Sequence, residues 1–205
     1  MSILRSFIVF EGLDGAGTTS QIKNLARYYE FNRRPYYITN EPTSNPIGLL
    51  IRDVLQKKVV TTPEALALLY ASDRHDHLYN PSYGIERITE EGRVVMSDRY
   101  FYSSIAYQSV QCNPDFVRTI NSAFPSPEFI IFVDTPVEEC MNRIEKRGGV
   151  KELFDRAEYL TSVRNNYFRE FENLPEGVNL LVVDGSKPID TVEMEIRKYL
   201  SSFSL

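Results

Sequence analysis

Apolar positions along the chain fall into five short runs, and longer stretches with helical spacing separate them. The runs are rich in β-branched and aromatic residues, and they are apolar on both faces, which is typical of strands buried inside a parallel sheet. The predicted strands cover residues 7–10, 36–39, 94–97, 129–134 and 180–184.

Helical periodicity fills the intervals between these runs. Three apolar faces are formed by Ile22, Leu25, Ala26 and Tyr29, by Tyr159, Leu160, Val163, Tyr167 and Phe171, and by Ile189, Val192, Ile196 and Leu200. The alternation predicts a three-layer α/β fold with about five parallel strands, flanking helices and right-handed crossovers. No repeat or linker interrupts the pattern, so we expect one domain over residues 1–205.

Charged residues gather after the predicted strands. Ligands of open α/β sheets bind at the carboxyl ends of the strands, so residues at these ends are candidates for a shared cleft. The residues in question are Asp14, Glu41, Asp98, Arg99, Asp134 and Lys187.

The first strand leads into Gly12-Leu13-Asp14-Gly15-Ala16-Gly17-Thr18-Thr19. A phosphate-binding loop reads Gly, four residues, Gly, Lys and then Ser or Thr, and here Thr18 occupies the lysine position. The glycines let backbone N–H groups surround an anion, whereas the lysine usually carries charge to the β- and γ-phosphates. The loop indicates a nucleotide site without its usual cation. A glycine-rich turn without a ligand is the alternative that these residues leave open.

Composition narrows the class of protein. The 205 residues are 42% apolar and 25% charged, as in an ordinary globular domain. A formal net charge of −5 argues against broad nucleic-acid binding, although it permits a local basic pocket. Cys112 and Cys140 have neither metal-ligand spacing nor the number that a disulfide framework needs. With no signal-peptide pattern and no membrane-length apolar stretch, we expect a cytoplasmic protein without a membrane partner.

The third strand ends in Ser97-Asp98-Arg99-Tyr100. A carboxylate at this position can hold Mg²⁺, and the neighbouring guanidinium can bind a phosphate through two hydrogen bonds. An Asp–Arg ion pair at a helix start is the structural alternative. Because the pair would lie opposite the glycine loop, we favour the functional interpretation.

Further candidates lie on helical segments. Arg52 and Arg74 could face the cleft, and Tyr70 shares a helix face with Arg74, so the two could stack on a base and bond its edge. The alternative is a core tyrosine beside a solvated arginine. His75 and His77 alternate along the helix, and we expect both at the surface rather than at a metal.

Arg143, Lys146 and Arg147 precede Gly148-Gly149. Basic residues at a helix C-terminus often only complement the helix dipole, but the glycine pair also indicates a lid at about residues 148–154. Such a lid could bring the missing cation to the phosphates.

Together these segments resemble the thymidylate kinase family, P-loop kinases of nucleoside monophosphates, over nearly the whole chain. The resemblance rests on Phe10 to Gly17, Asn40-Glu41-Pro42-Thr43, Leu69 to Arg74, Ser97 to Gln108 and Val163 to Tyr167. It implies direct phosphoryl transfer from MgATP to dTMP in a homodimeric enzyme. A kinase for another nucleotide or for deoxynucleosides, and a catalytically silent nucleotide-binding protein, are the alternatives.

The resemblance also implies roles for individual residues. The glycine loop would bind the ATP phosphates, with Thr19 and Asp98 at Mg²⁺, while Arg143 or Arg147 and the Lys187-Pro188 loop would lie against adenine. On the acceptor side, Asp14 would meet the 3′-hydroxyl, and Arg52 and Arg99 would hold the dTMP phosphate. The remaining dTMP contacts would come from Glu41, Pro42, Tyr70, Arg74, Ser103, Ser104, Tyr107 and Gln108.

Within that acceptor set, Tyr70 would stack on thymine at a position where the family usually has Phe, and Arg74 would bond the base edge with Ser104 and Gln108. Tyr107 would crowd the 2′ position of the sugar. The bond between Glu41 and Pro42 is a candidate cis peptide.

Positive charge is sparser here than in the family. Thr18 replaces the loop lysine, Gly15 stands where one branch has an arginine, and Asn40 replaces the arginine common before Glu-Pro. The lid segment 148–153, from which another branch supplies arginines, contains only Lys151. We therefore expect Arg147, Lys151 or Arg143 to supply the charge, with Lys23 a weaker candidate, and the catalytic set to be Asp14, Asp98, Arg99, Arg147 and Lys151.

Overall fold

The computed structural model describes residues 2–146 and 157–203. The predicted lid, together with Arg147 and Lys151, lies outside the described residues. The extent of the domain, residues 1–205, stays a prediction. No helix in the two described ranges combines the length and the apolar character that crossing a membrane requires.

Each predicted strand forms at its expected place in the chain. The strands are β1 (Ile3–Gly12), β2 (Tyr36–Asn40), β3 (Val94–Asp98), β4 (Ser126–Asp134) and β5 (Asn179–Asp184). They make one parallel sheet in the order β2-β3-β1-β4-β5. The first strand lies in the middle, so the glycine loop that follows it leaves the centre of the sheet.

Helices connect the strands. Those before β3 are α1 (Thr18–Phe31), α2 (Pro46–Leu55), α3 (Pro63–Tyr79) and α4 (Ile85–Glu90). Those after it are α5 (Phe101–Gln108), α6 (Pro114–Asn121), α7 (Val137–Lys146), α8 (Ala157–Phe171) and α9 (Ile189–Ser201). Helices α1 and α9 pack against each other, whereas α5 packs with α3, α6 and α8.

Burial along the central strand explains why the runs are continuously apolar. Phe7, Ile8, Val9 and Phe10 of β1 are each 0% exposed, although successive strand residues point to opposite faces of a sheet. Both faces are therefore covered, and the expected three-layer α/β fold is confirmed.

The apolar helix faces pack on this core with one exception. Val192, Ile196 and Leu200 of α9 are buried as predicted, but Ile189 is 47% exposed. Ile189 is the first residue of α9, and its backbone carbonyl, rather than its side chain, contacts α1 by accepting a bond from Gln21 at 3.1 Å. Its inclusion in the buried face was wrong, because the periodicity continues one turn beyond the packed surface.

Candidate active site

Two cavities adjoin at the carboxyl edge of the sheet. The larger, about 570 Å³, lies over the glycine loop, and the smaller, about 150 Å³, lies between α3 and α5. We call them the loop cavity and the inner cavity. The side chains that line both are those of Asp14, Glu41, Pro42, Arg52 and Arg99.

The glycine loop has a backbone that only glycine adopts easily. Gly15 and Gly17 have φ values of +84° and +106°, and the N–H of Ala16 donates to the carbonyl of Leu13 at 2.9 Å. A Cβ atom on Gly15 would lie 2.6 Å from the carbonyl oxygen of Cys140. The backbone therefore leaves no room for the arginine that one branch of the family has at this position.

Most of the predicted loop residues line the loop cavity, namely Leu13, Asp14, Gly15, Gly17, Thr18 and Thr19. Gly12 and Ala16 instead lie behind the loop. A Cβ on Gly12 would approach the carbonyl of Val133 to 2.9 Å, and the carbonyl of Ala16 accepts a bond from the Thr135 hydroxyl at 3.0 Å. These two residues hold the loop against β4 rather than face the cavity.

Arg143 also supports the loop. Its guanidinium donates to the carbonyls of Gly15 at 3.3 Å, Ala16 at 3.0 Å and Gly185 at 3.0 Å, and it pairs with Glu139. The charge of Arg143 is thus directed at backbone oxygens on the far side of the loop. This arrangement ties the glycine loop to the turn after β5.

Two of the charged residues that follow the strands, Asp134 and Lys187, lie away from the loop cavity and the inner cavity. Asp134 accepts two bonds from Arg164, each 2.6 Å long, and Lys187 pairs with Glu195 at 3.6 Å. Both Asp134 and Lys187 line a different cavity, of about 580 Å³. The expectation of a single cleft is therefore wrong for the ends of β4 and β5, because Asp134 and Lys187 form ion pairs with residues of α8 and α9.

The two candidate metal ligands are in direct contact. The hydroxyl of Thr19 donates to Oδ2 of Asp98 at 2.5 Å. Both are hard oxygen donors of the kind that Mg²⁺ prefers, and Mg²⁺ typically takes one or two side chains and completes its shell with phosphate oxygens and water. Within the part of the chain that the structure describes, no group of three or more His, Cys, Asp or Glu forms a complete protein cage for a metal.

Arg99 lies at the junction of the two cavities. Its φ of +75° is unusual for a non-glycine residue, and its N–H donates to the carbonyl of Phe10 at 2.9 Å. Such strain, of order 1–3 kcal/mol, is typical of ligand sites. The guanidinium donates to Asp14 at 2.6 Å and to the hydroxyl of Ser103 at 2.9 Å, and it lies 4.9 Å from the ring centre of Tyr107. Burial acts to lower the pKa of Arg99, but Tyr107 and Asp14 raise it well above its usual value, so the charge is permanent.

A buried carboxylate, Glu11, lies behind Arg99. It accepts bonds from the backbone N–H of Tyr100 at 2.9 Å and from the hydroxyls of Ser103 at 2.5 Å and Tyr167 at 2.8 Å. Burial raises the pKa of Glu11 to about 7. Sequence reasoning assigned no role to Glu11, although a carboxylate at the end of a fully apolar strand was the available signal.

Arg74 is buried and fully engaged. Its guanidinium donates to Glu41 at 2.9 Å, to Asn121 at 2.5 Å and to Ser104 at 2.9 Å, and only 1% of the residue is exposed. The alternative of a solvated arginine is therefore wrong. The Glu41–Pro42 bond is cis, as expected.

His77 joins the same cluster. Its Nδ1 lies 3.1 Å from Glu41, and its Nε2 lies 2.6 Å from the hydroxyl of Thr39. The expectation that His77 lies at the surface is wrong, since it follows Arg74 by three positions and shares the inward face of α3. His75 is exposed, as expected.

The residues predicted to bind the acceptor all line the inner cavity. They are Asp14, Glu41, Pro42, Arg52, Tyr70, Arg74, Arg99, Ser103, Ser104, Tyr107 and Gln108. Leu55, Gln56 and Tyr100 also line it and were missed. Leu55 and Gln56 follow Arg52 by three and four positions, so helical spacing was the signal that could have found them.

Two polar contacts shape the wall between the cavities. Arg52 donates to the carbonyl of Pro42 at 2.5 Å, and the side-chain amide of Asn40 donates to the same oxygen at 2.7 Å.

Lys23, one helical turn after Thr19, is exposed and lines the loop cavity. The sequence ranked Lys23 below the lid residues because its distance from the loop along the chain concealed this placement.

Comparisons with known proteins agree on one family. The family model for thymidylate kinase matches residues 10–196. A Treponema pallidum protein named as a thymidylate kinase is 38% identical and covers 99% of this chain and 98% of its own length. Proteins so named from Methanococcus aeolicus, at 39%, and Pyrococcus horikoshii, at 37%, match over 96% and 93% of this chain and of themselves.

A solved structure shares the fold. The thymidylate kinase of Candida albicans superimposes with a TM-score of 0.77 at 23% identity. The match covers 97% of this chain and 92% of the Candida chain.

Proposed function

The chain belongs to the thymidylate kinase family, and on that premise we propose that it transfers the γ-phosphoryl group of ATP to dTMP, giving dTDP and ADP. The observation that carries the proposal is the set of side chains shared by the two cavities, which includes Asp14, Arg52 and Arg99. A nucleotide in each cavity would bring its phosphates to this shared wall. Proximity and charge stabilisation then supply most of the catalysis.

The loop cavity is the proposed site for ATP. Backbone N–H groups of the glycine loop and the N-terminus of α1 would surround the phosphates, as in other phosphate loops. Thr19 and Asp98 would hold Mg²⁺, which neutralises charge on the bridged phosphate oxygens when it is bound. Arg143 would keep the loop in its binding conformation through the three carbonyls that it contacts.

The inner cavity is the proposed site for dTMP. Arg99 and Arg52 would bind its phosphate, and an oxygen of that phosphate attacks the γ-phosphorus while the bond from the γ-phosphorus to the β–γ bridging oxygen breaks. Asp14 would meet the 3′-hydroxyl and Tyr107 would occupy the space beside C2′. Tyr70 would stack on thymine, and Arg74, held in place by Glu41 and Ser104, would face the base edge.

The charge missing at Thr18 would come from outside the loop. We propose Arg147 and Lys151 as its source, both outside the described residues. Arg143 fits this role less well, because its guanidinium is committed to backbone carbonyls and Glu139. Lys23 is a fourth source, since it lines the loop cavity and forms no ion pair with a described acidic residue.

We also propose a cytoplasmic homodimer. Leu49 and Leu50 of α2 are 50% and 39% exposed, and Leu68 of the adjoining α3 is 48% exposed. Covering these aliphatic side chains is the most direct use of a partner subunit. Light scattering should give twice the monomer mass, and Leu68→Glu should shift it toward the monomer.

The cytoplasmic location is supported by the cysteines. Cys112 and Cys140 are both buried free thiols, which suits a reducing compartment.

The acceptor assignment is tested with purified protein, MgATP and a panel of monophosphates. We expect dTMP to be the best substrate, dUMP to lose about 1–3 kcal/mol through its missing methyl group, and dCMP to be poor because its amino group mismatches the bonded edge. Tyr107→Ala should narrow the preference for deoxyribose over ribose. Equal turnover of dCMP and dTMP would contradict the assignment, and binding without any dTDP would favour a silent nucleotide-binding protein.

The source of the missing charge is tested by single-turnover rates. Arg147→Ala, Lys151→Ala and Lys23→Met are each measured with and without Thr18→Lys, and Lys198→Met on α9 is the matched control. Substitution of the residue that replaces the loop lysine should lower the single-turnover rate when Thr18 is present. The same substitution should lower the rate much less in the Thr18→Lys background. An active enzyme in which none of these changes affects the rate would contradict the proposal.

A further inference from the structure

Glu11 is a buried group that the proposed reaction does not use. It lies on β1 directly before the glycine loop, is 0% exposed and lines neither cavity. Its Oε1 accepts from the N–H groups of Tyr100 at 2.9 Å and Ser103 at 3.3 Å. Its Oε2 accepts from the hydroxyls of Ser103 at 2.5 Å and Tyr167 at 2.8 Å. Four donors converge on one carboxyl group, and these hydrogen bonds favour its ionised form against the burial that raises its pKa.

The same two hydroxyls also contact Arg99. Nη1 of Arg99 donates to the oxygen of Ser103 at 2.9 Å and to that of Tyr167 at 3.4 Å. A hydroxyl has a single hydrogen, so a hydroxyl that donates to Glu11 presents only its lone pairs to the guanidinium. The order of the hydrogen bonds therefore runs from Arg99 through the two hydroxyls to Glu11.

We propose that ionised Glu11 is a positioning residue that holds Arg99, through Ser103 and Tyr167, in the orientation that binds the phosphate of the acceptor nucleotide. Without the ionised carboxylate, one of the two hydroxyls can turn its hydrogen toward Nη1 of Arg99, while Nη2 keeps its bond to Asp14 at 2.6 Å. Arg99 would then turn toward Asp14 and away from the acceptor phosphate. The inference rests on the proposed function, because it assigns the inner cavity to a phosphate-bearing acceptor.

Protonation of Glu11 would reverse part of this order. A proton on Oε2 forces one hydroxyl to accept from Glu11. The hydrogen of that hydroxyl then turns toward Arg99 or toward the other hydroxyl, since the oxygens of Ser103 and Tyr167 are 2.7 Å apart. Charged and titratable groups that face Glu11 are Arg99 from the connection after β3, Tyr102 from α5 and Tyr167 from α8. Burial raises the pKa of Glu11 to about 7, so this change of protonation is expected near neutral pH.

The test compares the wild type with Glu11→Gln, which keeps the size of the side chain but mimics the protonated state. At pH 8, we expect KM for dTMP to rise about tenfold, in line with a lost hydrogen bond to a charged group. KM for ATP and kcat should stay within about twofold. Calorimetry should show the same loss of affinity for dTMP but not for thymidine, which has no phosphate.

The pH profile gives a second readout. The wild-type KM for dTMP should rise toward that of Glu11→Gln as the pH falls from 8 to 6. The dTMP phosphate itself ionises with a second pKa near ~6, and the profile of Glu11→Gln reports that contribution separately.

Tyr167→Phe should raise KM for dTMP in the same way and by less, because Ser103 still links Glu11 to Arg99. Tyr199→Phe is the matched control, since its hydroxyl contacts only the carbonyl of Leu180 among described residues, at 3.3 Å. The inference is overturned if Glu11→Gln keeps the wild-type KM and pH profile, or if dTMP and thymidine lose affinity equally. Absence of dTDP formation by the wild type would instead contradict the proposed function, and the two calorimetric titrations would still decide the role of Glu11.

Discussion

The loop cavity and the inner cavity hold their charges in opposite ways. In the inner cavity the charged side chains are buried or half-buried, and two guanidinium groups are already paired with carboxylates, Arg74 with Glu41 and Arg99 with Asp14. In the loop cavity the proposed anion-binding groups are backbone N–H groups, Thr18 replaces the expected lysine, and the nearby Lys23 is exposed.

The difference indicates how each ligand would be recognised. A nucleotide entering the inner cavity meets side chains whose positions are fixed before it binds, so little side-chain conformational freedom is lost on binding. A nucleotide entering the loop cavity meets a fixed backbone but an incomplete set of charges. We thus expect the inner cavity to determine which nucleotide is bound. We expect the loop cavity to depend on positive charge supplied by side chains outside the glycine loop.

Breaking the buried ion pair of the inner cavity should have the largest effect on stability. Arg74→Met removes the guanidinium that Glu41 and Asn121 bind, and removing one member of a buried pair costs about 3–5 kcal/mol. Urea unfolding at neutral pH measures the loss. Arg87→Met is the control, because the exposed pair of Arg87 with Glu91 contributes about 0–1 kcal/mol. Equal losses in the two variants would show that Arg74 is not preorganised.

Titration of Glu11 should give a somewhat smaller effect. Its pKa is about 7 in the folded chain against 4.5 for a free side chain, so the folded state binds the proton more tightly. The stability from this group is therefore complete below pH ~4.5 and is lost as the pH rises through about 7, by at most about 3 kcal/mol.

The direction of this pH dependence is checked by measuring the unfolding free energies of the wild type and Glu11→Gln across this pH range. Their difference isolates Glu11, because other carboxyl groups titrate in both proteins. Asp73, whose pKa burial also raises, is one of these. A difference that is constant with pH would contradict the expected titration.

Substitutions in the glycine loop should distinguish two positions at which a basic residue could restore the missing positive charge. Gly15→Arg must adopt a φ of +84° against the Cys140 carbonyl, so we expect a loss of about 1–3 kcal/mol and weaker ATP binding. Thr18 is only 7% exposed but lines the cavity, so the longer side chain of Thr18→Lys can extend into the cavity and we expect a smaller loss than for Gly15→Arg. Thermal unfolding with and without MgATP makes the comparison. A Gly15→Arg protein as stable as Thr18→Lys would show that the loop adapts.

The smallest effect is expected at the exposed rim of the loop cavity. Lys23→Met should change the unfolding free energy by less than about 0.5 kcal/mol, as a surface substitution usually does. KM for ATP should rise a few-fold at low salt and less at high salt, because exposed charges are screened. Lys198→Met, on a solvent-facing part of α9, should leave KM for ATP unchanged. A salt-independent KM in wild type would mean that Lys23 does not act on the phosphates.

Local pattern in the sequence determined the strands, most buried helix faces and the glycine loop. Residues 7–10 are apolar because both faces of the central strand are covered, and the spacing of Ile22, Leu25, Ala26 and Tyr29 follows from the helical repeat. Most residues that line the inner cavity could be named from the sequence because the family resemblance identifies these residue types in this order. The strands, the helix faces and the loop depend on residues that are close together in the chain, whereas the residues of the inner cavity span positions 14 to 108.

Tertiary structure alone decided which charges meet. Glu11 bonds to Tyr167 across 156 positions of sequence, and Arg74 bonds to Asn121 across 47. The same packing pairs Asp134 with Arg164 and brings the guanidinium of Arg143 into contact with the backbone of the glycine loop. Short-range periodicity contains no information on such pairs, because an ion pair or hydrogen bond forms only when packing brings two atoms within about 3 Å of each other.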